Sequence, residues 1–400
     1  MKNQEEKNMK KTVKVLAMVL VVAMAAASFA GCTKGKAGSG SKDDKYLIGG
    51  IGPVTGGAAS YGLAVKNAAQ IAVDEINAAG GINGHQIEFK YEDDEHNAEK
   101  SVNAYNTLKD WGMQILMGTV TSDPSKAVAA EAASDKMFML TPSASSLDVI
   151  NKGDTIFQVC FTDPNQGSAS AKYIGENKIA SKIGIIYDSS DIYSSGIYEK
   201  FAEEAKNQSF EIVSTQTFTS DAKSEFSAQV KACVDAGAEL VFLPIYYNEA
   251  ALILTEAKAE GANLKFFGCD GLDGVLGVEG FDKSLAEGVM LLTPFSADSE
   301  DEKTAAFVKA YKEKYNDTPI QFAADAYDAI YIIKEAIEKS GVEPSASVEE
   351  MGAALKDAIV QLSFDGITGA GKKMTWTANG EVDKAPMAVV IKDGAYVSAE

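Results

Sequence analysis

Four hundred residues exceed one ordinary domain and fit two or three at about 150 residues each. With 46% hydrophobic and 24% charged residues, the chain belongs to the soluble globular class with ample core. The formal charge is −20 and every one of the 37 cationic side chains is lysine. An acidic, arginine-free chain is excluded as a nucleic-acid binder, because phosphate contacts need local positive charge. It also has no guanidinium fork with which to hold a carboxylate ligand.

The first element in chain order is a targeting segment. A lysine-rich front, MKNQEEKNMKKTVK, precedes the apolar run VLAMVLVVAMAAASFA and then Gly31-Cys32. That pattern predicts an export signal over residues 1–31 rather than a membrane span. The stretch Phe29-Ala30-Gly31-Cys32 resembles the bacterial lipobox, in which Cys32 is lipidated and becomes the first mature residue. Phe29 stands where leucine is usual, and plain secretion with an incidental cysteine is the alternative. Residues 32–45, rich in Gly, Ser and Lys, read as a flexible tether.

The body then alternates strand and helix. YLIGGIG (46–52) is a buried-type strand, and 63–81 is a helix ending on a glycine pair. A strand with alternating Ile87, Phe89 and Tyr91 follows, then a helix over 97–112, the strand MQILM, a helix from Pro124 and the strand MFML. This rhythm predicts a parallel sheet covered by helices. It restarts after about residue 160 with strands KIGIIYD, EIVSTQTF, ELVFLPI and KFFGCD, each separated by a helix. Helices over Glu302–Tyr315, Gln321–Gly341 and Val348–Leu362 come next, and a strand pair closes the chain, with a turn at Asn379-Gly380 and MAVVIKDGAYV as one strand.

Two turns carry the chemistry. MGTVTSDP (117–124) and LTPSASS (140–146) each follow a strand and each offer several hydroxyls. Ligands in open parallel sheets sit at the carboxyl ends of strands, where helix N-termini point. Taken singly, each turn reads as capping: Ser122 or Asp123 as N-cap of the first helix with Pro124 in its first position, and Ser145 or Ser146 as cap of the second. Taken together, two adjacent helix starts with hydroxyls beside them form a seat for a small carboxylate. Enzyme readings are weaker. No G-x-S-x-G occurs, and GGIGPVTGGAASYG matches neither dinucleotide nor P-loop spacing. Only His85 and His96 are available, so no His/Cys zinc spacing exists, and no metal or other cofactor is expected. Cys160, Cys233 and Cys269, an odd count, are expected to be buried free thiols.

The run GPVTGGAASYGLAVKNAAQIAVDEINAAGGINGHQIEFKYEDDEHNAEKSV resembles the opening of the leucine/isoleucine/valine-binding proteins, the substrate-binding components of ATP-driven (ABC) amino-acid importers. The likeness continues in order through MGTVTSD, TPSASS, IIYDSSDIYSSG, FLPIYYNEA, FFGCDGL, AEGVMLLTPF and QFAADAYDAI, over nearly the whole body. It implies an α/β fold of the type I periplasmic-binding-protein kind: two lobes, each a mainly parallel sheet flanked by helices, joined by a three-strand hinge. Residues 46–163 plus 296–376 would form lobe 1, and 164–295 plus 377–400 lobe 2. It further implies that Ser122 and Ser145 donate to a ligand carboxylate, that the Ser143 carbonyl accepts from the ligand ammonium, and that Asp270 pairs with that ammonium. Val120, Thr121 and Ala144 would line the pocket, and Tyr61, Tyr193, Tyr246 and Phe322 would wall the cleft. The implied partners are an amino acid, an ABC permease with its ATPase subunits, and the membrane through the lipid anchor, with the protein a monomer on the extracytoplasmic face. A ligand-sensing surface receptor or a binder of an amide- or urea-like solute shares the same features.

The chain departs from the family pattern at three points. His96 and Thr121 stand where familiar members have a disulfide. Asp270 replaces the more usual Glu, and Pro244-Ile245 replaces small residues beside Tyr246. These departures bear on which amino acid is bound.

Overall fold

A computed structural model describes residues 44–369 and 371–399. The export signal, Cys32 and nearly all of the tether lie outside these residues. Two sheets carry the fold. The first is wholly parallel, in the order β2-β1-β3-β4-β5, from β1 (Lys45–Gly52), β2 (Gln86–Asp93), β3 (Ile115–Gly118), β4 (Phe138–Thr141) and β5 (Ile156–Gln158). The second comprises β6 (Lys182–Asp188), β7 (Glu211–Phe218), β8 (Leu240–Leu243), β9 (Lys265–Gly268), β10 (Met290–Thr293), β11 (Met387–Lys392) and β12 (Ala395–Ser398). Its order is β12-β11-β10-β9-β8-β6-β7, parallel except where β11 and β12 join. Strands 3, 4, 8 and 9 are short and buried almost throughout, as parallel strands covered on both faces must be.

The helices are α1 (Ala59–Ala78), α2 (Ala98–Trp111), α3 (Ser122–Ser134), the single turn α4 (Leu147–Ile150), α5 (Asp163–Glu176), α6 (Ile192–Glu204), α7 (Ser227–Asp235), α8 (Tyr247–Ala259), α9 (Glu302–Tyr315), α10 (Gln321–Ser340) and α11 (Val348–Ile359). Their ends follow the expected signals. Asn97 caps α2 by accepting from Lys100 N, and Gly112 ends it in the left-handed region. Ser347 and Glu350 form a reciprocal capping box on α11. Helices α1 and α10 pack on one another, and Val65, Ala68, Ala69, Ala72 and Ile76 of α1 and Ala326, Ala329, Ile330, Ile333 and Ile337 of α10 are buried. Each fully buried Val or Ile contributes about 1.5–3 kcal/mol relative to exposure, while the alanines let the backbones approach.

The chain passes between the sheets three times: between Gln158 and α5, between β10 and α9, and between Trp376 and β11. The first and third crossings are bound together. Trp376 Nε1 donates to the Gln158 carbonyl at 2.8 Å, and Gln158 N donates to the Gly380 carbonyl at 3.1 Å. Lys384 in the third crossing pairs with Asp325 of α10 at 2.7 Å, both side chains fully buried. Two readings of the sequence need correction. MAVVIKDGAYV is a hairpin, not one strand, because Asp393-Gly394 adopts positive φ at both residues, the turn such a dipeptide favours. Helix α3 begins at Ser122 rather than Pro124, with Thr121 in the N-cap position. Cys160, Cys233 and Cys269 are free and buried, as expected.

Candidate functional site

The two hydroxyl-rich turns sit side by side at the carboxyl ends of β3 and β4. Gly118 is required there. Its φ is +149°, and a Cβ would lie 2.9 Å from the Ile51 carbonyl oxygen. Two of the hydroxyls lace the turns together. Thr141 Oγ1 donates to the Thr119 carbonyl at 2.6 Å and accepts from Ala144 N at 2.9 Å, and Ser143 Oγ donates to the Val120 carbonyl at 2.7 Å. Thr119 Oγ1 and Ser125 Oγ share a hydrogen bond at 2.5 Å. Ser122 is not a cap. It opens α3, and its Oγ accepts from Ser146 N at 3.4 Å. Thr121, in the cap position, makes no capping bond, because its Oγ1 is engaged by His96 Nδ1 at 2.8 Å. His96 and Thr121, which the sequence reading singles out together, are therefore in direct contact. Asp123 does not cap either: it lies in the first turn of α3 beside the start of α6, and burial raises its carboxyl. Ser146 caps α4, while Ser145 Oγ is buried and has no hydrogen-bond partner.

The opposite wall is acidic and aromatic. Asp270 begins a single turn of 3₁₀ helix after β9. Tyr193 OH donates to its Oδ1 at 2.7 Å and Gln166 Nε2 to its Oδ2 at 3.1 Å. Desolvation pushes the carboxyl up to about 7, against the pull of Tyr193. A second carboxylate lies near it, one that the sequence reading missed. Asp163, 2% exposed at the first position of α5, has neither oxygen hydrogen-bonded, and its N–H donates to the Ser145 carbonyl at 3.0 Å. Desolvation holds it well above the carboxylate range. The negative charge of Asp270 and Asp191 adds to the shift. In sequence, Thr162-Asp163-Pro164 reads as a helix start and nothing more. Its burial comes from the Ser145 turn folded over it.

The four aromatic side chains form one continuous surface. Phe322 stacks on Tyr61 at 4.0 Å between centroids, Tyr61 meets Tyr246 edge-on at 5.7 Å, and Tyr246 stacks on Tyr193 at 4.9 Å. Tyr61, from α1, reaches across to the other half, where its OH donates to the Gly271 carbonyl and accepts from Tyr247 N. Val120, Thr121, Ser122, Ser143, Ala144, Ser145 and Asp270 are all buried, and Tyr246 is half-buried.

Two α/β halves joined by three crossings, facing each other across hydroxyls and a helix start on one side and buried carboxylates on the other, define a type I solute-binding fold. The comparisons agree. The periplasmic binding protein family model matches residues 45–395. The leucine-, isoleucine-, valine-, threonine- and alanine-binding protein of Pseudomonas aeruginosa is 29% identical over 338 residues, covering 84% of this chain and 87% of its own. The Leu/Ile/Val-binding protein BraC3 of Rhizobium johnstonii is 32% identical over 314 residues, covering 78% and 83%. Among solved structures, the branched-chain amino acid transporter substrate binding protein LivJ of Streptococcus pneumoniae, in complex with isoleucine, superposes with a TM-score of 0.81 at 29% identity, covering 89% of this chain and 99% of that one. This chain belongs to the periplasmic binding protein family.

Proposed function

We propose that the chain is the substrate-binding component of an ABC importer that captures an aliphatic, branched α-amino acid between its lobes and releases it to a permease. Lobe 1 is taken as residues 46–163 and 296–376, and lobe 2 as 164–295 and 377–400. The ligand carboxylate lies against the start of α3, where free N–H groups and the helix dipole favour an anion, with Ser122 and Ser145 as hydroxyl donors. The ammonium lies between Asp163 and Asp270, with the Ser143 carbonyl as a further acceptor. The rings of Tyr61, Tyr193, Tyr246 and Phe322 wall the cleft, and Val120, Thr121 and Ala144 line its floor. Each CH₂ of the ligand side chain buried here adds about 0.8 kcal/mol. Cys32 anchors the protein by lipid on the extracytoplasmic face, and residues 32–45 tether the body to it.

One observation carries this reading. Two buried carboxylates lie near each other without an ion pair to any lysine among the described residues, and one of them, Asp163, with neither oxygen hydrogen-bonded, adjoins Ser145, whose hydroxyl has no hydrogen-bond partner. That is a negative cradle beside a hydrogen-bond donor, the complement of a zwitterion. The relatives named for leucine, isoleucine and valine, and the isoleucine-bound neighbour, support the choice of side chain. The mature chain, unfolded and refolded to strip carried-over ligand, is titrated calorimetrically with the amino acids. Leucine, isoleucine or valine is expected to bind at one per chain and remain chemically unchanged. Absence of heat with every zwitterionic amino acid refutes the proposal.

A further inference from the structure

Three helices that begin where the halves meet carry no cap of their own. Ala58, Tyr246 and Ile320 stand in the N-cap positions of α1, α8 and α10, and none of them makes a side-chain capping bond. In each case an N–H of the first turn is taken by a side chain from the opposite half. Tyr61 OH, from α1, accepts from Tyr247 N at the start of α8 at 3.2 Å. Tyr247 OH, from α8, accepts in return from Ser60 N in the first turn of α1 at 3.3 Å. The two rings meet edge-on at 4.8 Å between centroids, and both side chains are buried. Asp273, which follows β9, accepts from Gln321 N at the start of α10 through Oδ2 at 2.7 Å. Asn248, next to Tyr247, donates from Nδ2 to the Gly57 carbonyl in the loop before α1. That loop is fixed on its own half: Asp93 of β2 accepts from Val54 N at 2.9 Å and from Thr55 Oγ1 at 2.6 Å. Gly62 lets it fold back on α1, since a Cβ there would lie 1.8 Å from the Pro53 carbonyl oxygen.

We propose that this reciprocal capping is a latch: Tyr247 and Asn248 hold the halves together and set how long a bound amino acid stays. The inference rests on the reading of the chain as an amino-acid binder that closes between its lobes. The first N–H groups of a helix have no partner within the helix. A cap from the same half would satisfy them in every arrangement. Here the acceptors come from the opposite half, so the bonds exist only while the halves are together. When the halves part, water takes up the same groups. Each bond is therefore worth its net value against water, roughly two- to tenfold in the closing equilibrium, and not the larger cost of a stranded buried group. A latch of that size tunes the equilibrium and does not lock it. The ligand enters while the halves are apart, so the latch acts on release and not on capture. Tyr61 and Phe322 also belong to the aromatic wall of the cleft. Tyr247 and Asn248 have no part in the proposed ligand contacts, and they are positioning residues.

The test uses the refolded mature chain, with association and release of radiolabelled leucine followed by rapid filtration. Tyr247→Phe removes the hydroxyl and keeps the ring against Tyr61, and Asn248→Ala removes the donor to Gly57. Each is expected to speed release roughly two- to tenfold and to leave association at the wild-type rate. Asn248 is half-buried, so its variants decide the matter should Tyr247→Phe fail to fold. Asn248→Asp separates a latch from a role in helix stability. A carboxylate in the first turn of α8 favours the helix, but it meets the Gly57 carbonyl with no proton to donate. Release from it is expected to be at least as fast as from Asn248→Ala. Without ligand, the Tyr247→Phe/Asn248→Ala double variant is expected to have a larger scattering radius than wild type. Release at the wild-type rate in the folded variants overturns the latch and leaves amino-acid binding standing, as does a loss of affinity carried by slower association. Should wild type bind none of leucine, isoleucine and valine, the amino-acid reading fails instead, and equal scattering radii then overturn the latch.

Discussion

Replacing Asp270 with Asn removes one negative charge from the ammonium end of the proposed site and little else. The amide oxygen still accepts from Tyr193 OH, as Oδ1 does at 2.7 Å. The new amide group faces Gln166 Nε2, and Gln166 resists rotating because its Oε1 accepts from the Asp270 N–H at 3.2 Å. That mismatch costs about one hydrogen bond, about 0.5–1.5 kcal/mol. It is offset in the empty protein, because a carboxyl raised to about 7 is unfavourable to ionise and the amide carries no charge. The variant's own melting temperature is therefore expected to stay close to that of the parent. Binding is another matter. Leaving a buried ligand ammonium without one of its partners costs about 3–5 kcal/mol, or roughly 150- to 5,000-fold in Kd. Asp163 remains as a second carboxylate, so the lower end is expected, and Asp163→Asn in the same chain is expected to carry the loss to the upper end. Calorimetry on refolded wild type and variant reads both quantities. If the folded Asp270→Asn variant binds within threefold of wild type, Asp270 does not hold the ammonium.

The pH dependence has a definite sign. Asp94, Asp191, Asp270 and Asp273 are raised to about 7 and Asp325 to about 6, all chiefly by burial, so each binds a proton in the folded state that the unfolded chain has already lost. Their contribution is fully present below the unfolded value of 3.8 and is lost as pH rises from there through the folded values of about 6 and 7. His96, lowered by burial to about 4, works the other way below pH 6.5, but it is one group against five. The unliganded protein is expected to melt at higher temperature at pH 5.5 than at pH 8 by differential scanning fluorimetry, and the reverse order contradicts the burial argument. Lys384→Met leaves Asp325 and Asp328 without their buried cation and is expected to cost about 3–5 kcal/mol in denaturant unfolding, most of it recovered by adding Asp325→Asn; a loss below about 1 kcal/mol would count against the hinge role of the pair. Cys32→Ser is expected to move the protein from the membrane fraction to the medium or periplasm in a fractionated culture, and unchanged membrane retention rules out the lipid anchor.

The elements were legible because their signals are local. Asn97 and Gly112 bracket α2, and Glu302–Tyr315 is a helix over the range that its periodicity predicts. The two hydroxyl turns were legible as a pair because both follow strands of one parallel sheet. What each hydroxyl does was not. Thr141 and Ser143 tie turn to turn, Ser122 serves Ser146, and only Ser145 is left over, a division decided by packing between segments more than twenty residues apart. Asp163 was hidden because an aspartate before a proline at a helix start has an ordinary local explanation. Asp123 was misread for the same reason, since its neighbour Ile192 lies in the other half. The Lys384–Asp325 pair spans 59 positions without any local pattern.

The same placement of charge gives an account of closure. In this structure Asp163 and Asp270 are both buried near each other, each shifted upward by lost water, with Asp270 adding to the shift of Asp163. Closing without a ligand therefore means either burying two uncompensated charges or taking up protons, and both are unfavourable near neutral pH. Tyr61 joins the halves by hydrogen bonds to Gly271 and Tyr247 whether or not a cation is present, so these bonds favour closure without discriminating among ligands. On the proposed reading the discrimination lies with the ammonium: it reverses the electrostatic cost that the two carboxylates impose. An uncharged solute of the same shape gains the hydrogen bonds and the aromatic contact but leaves that cost standing. Because a ligand shifts an equilibrium only by its differential affinity for the two states, such a solute is expected to bind without stabilising the closed form. That difference can be read directly as a smaller change in scattering radius on saturation with isocaproamide than with leucine. Equal compaction by the two would place the origin of closure in the aromatic wall instead.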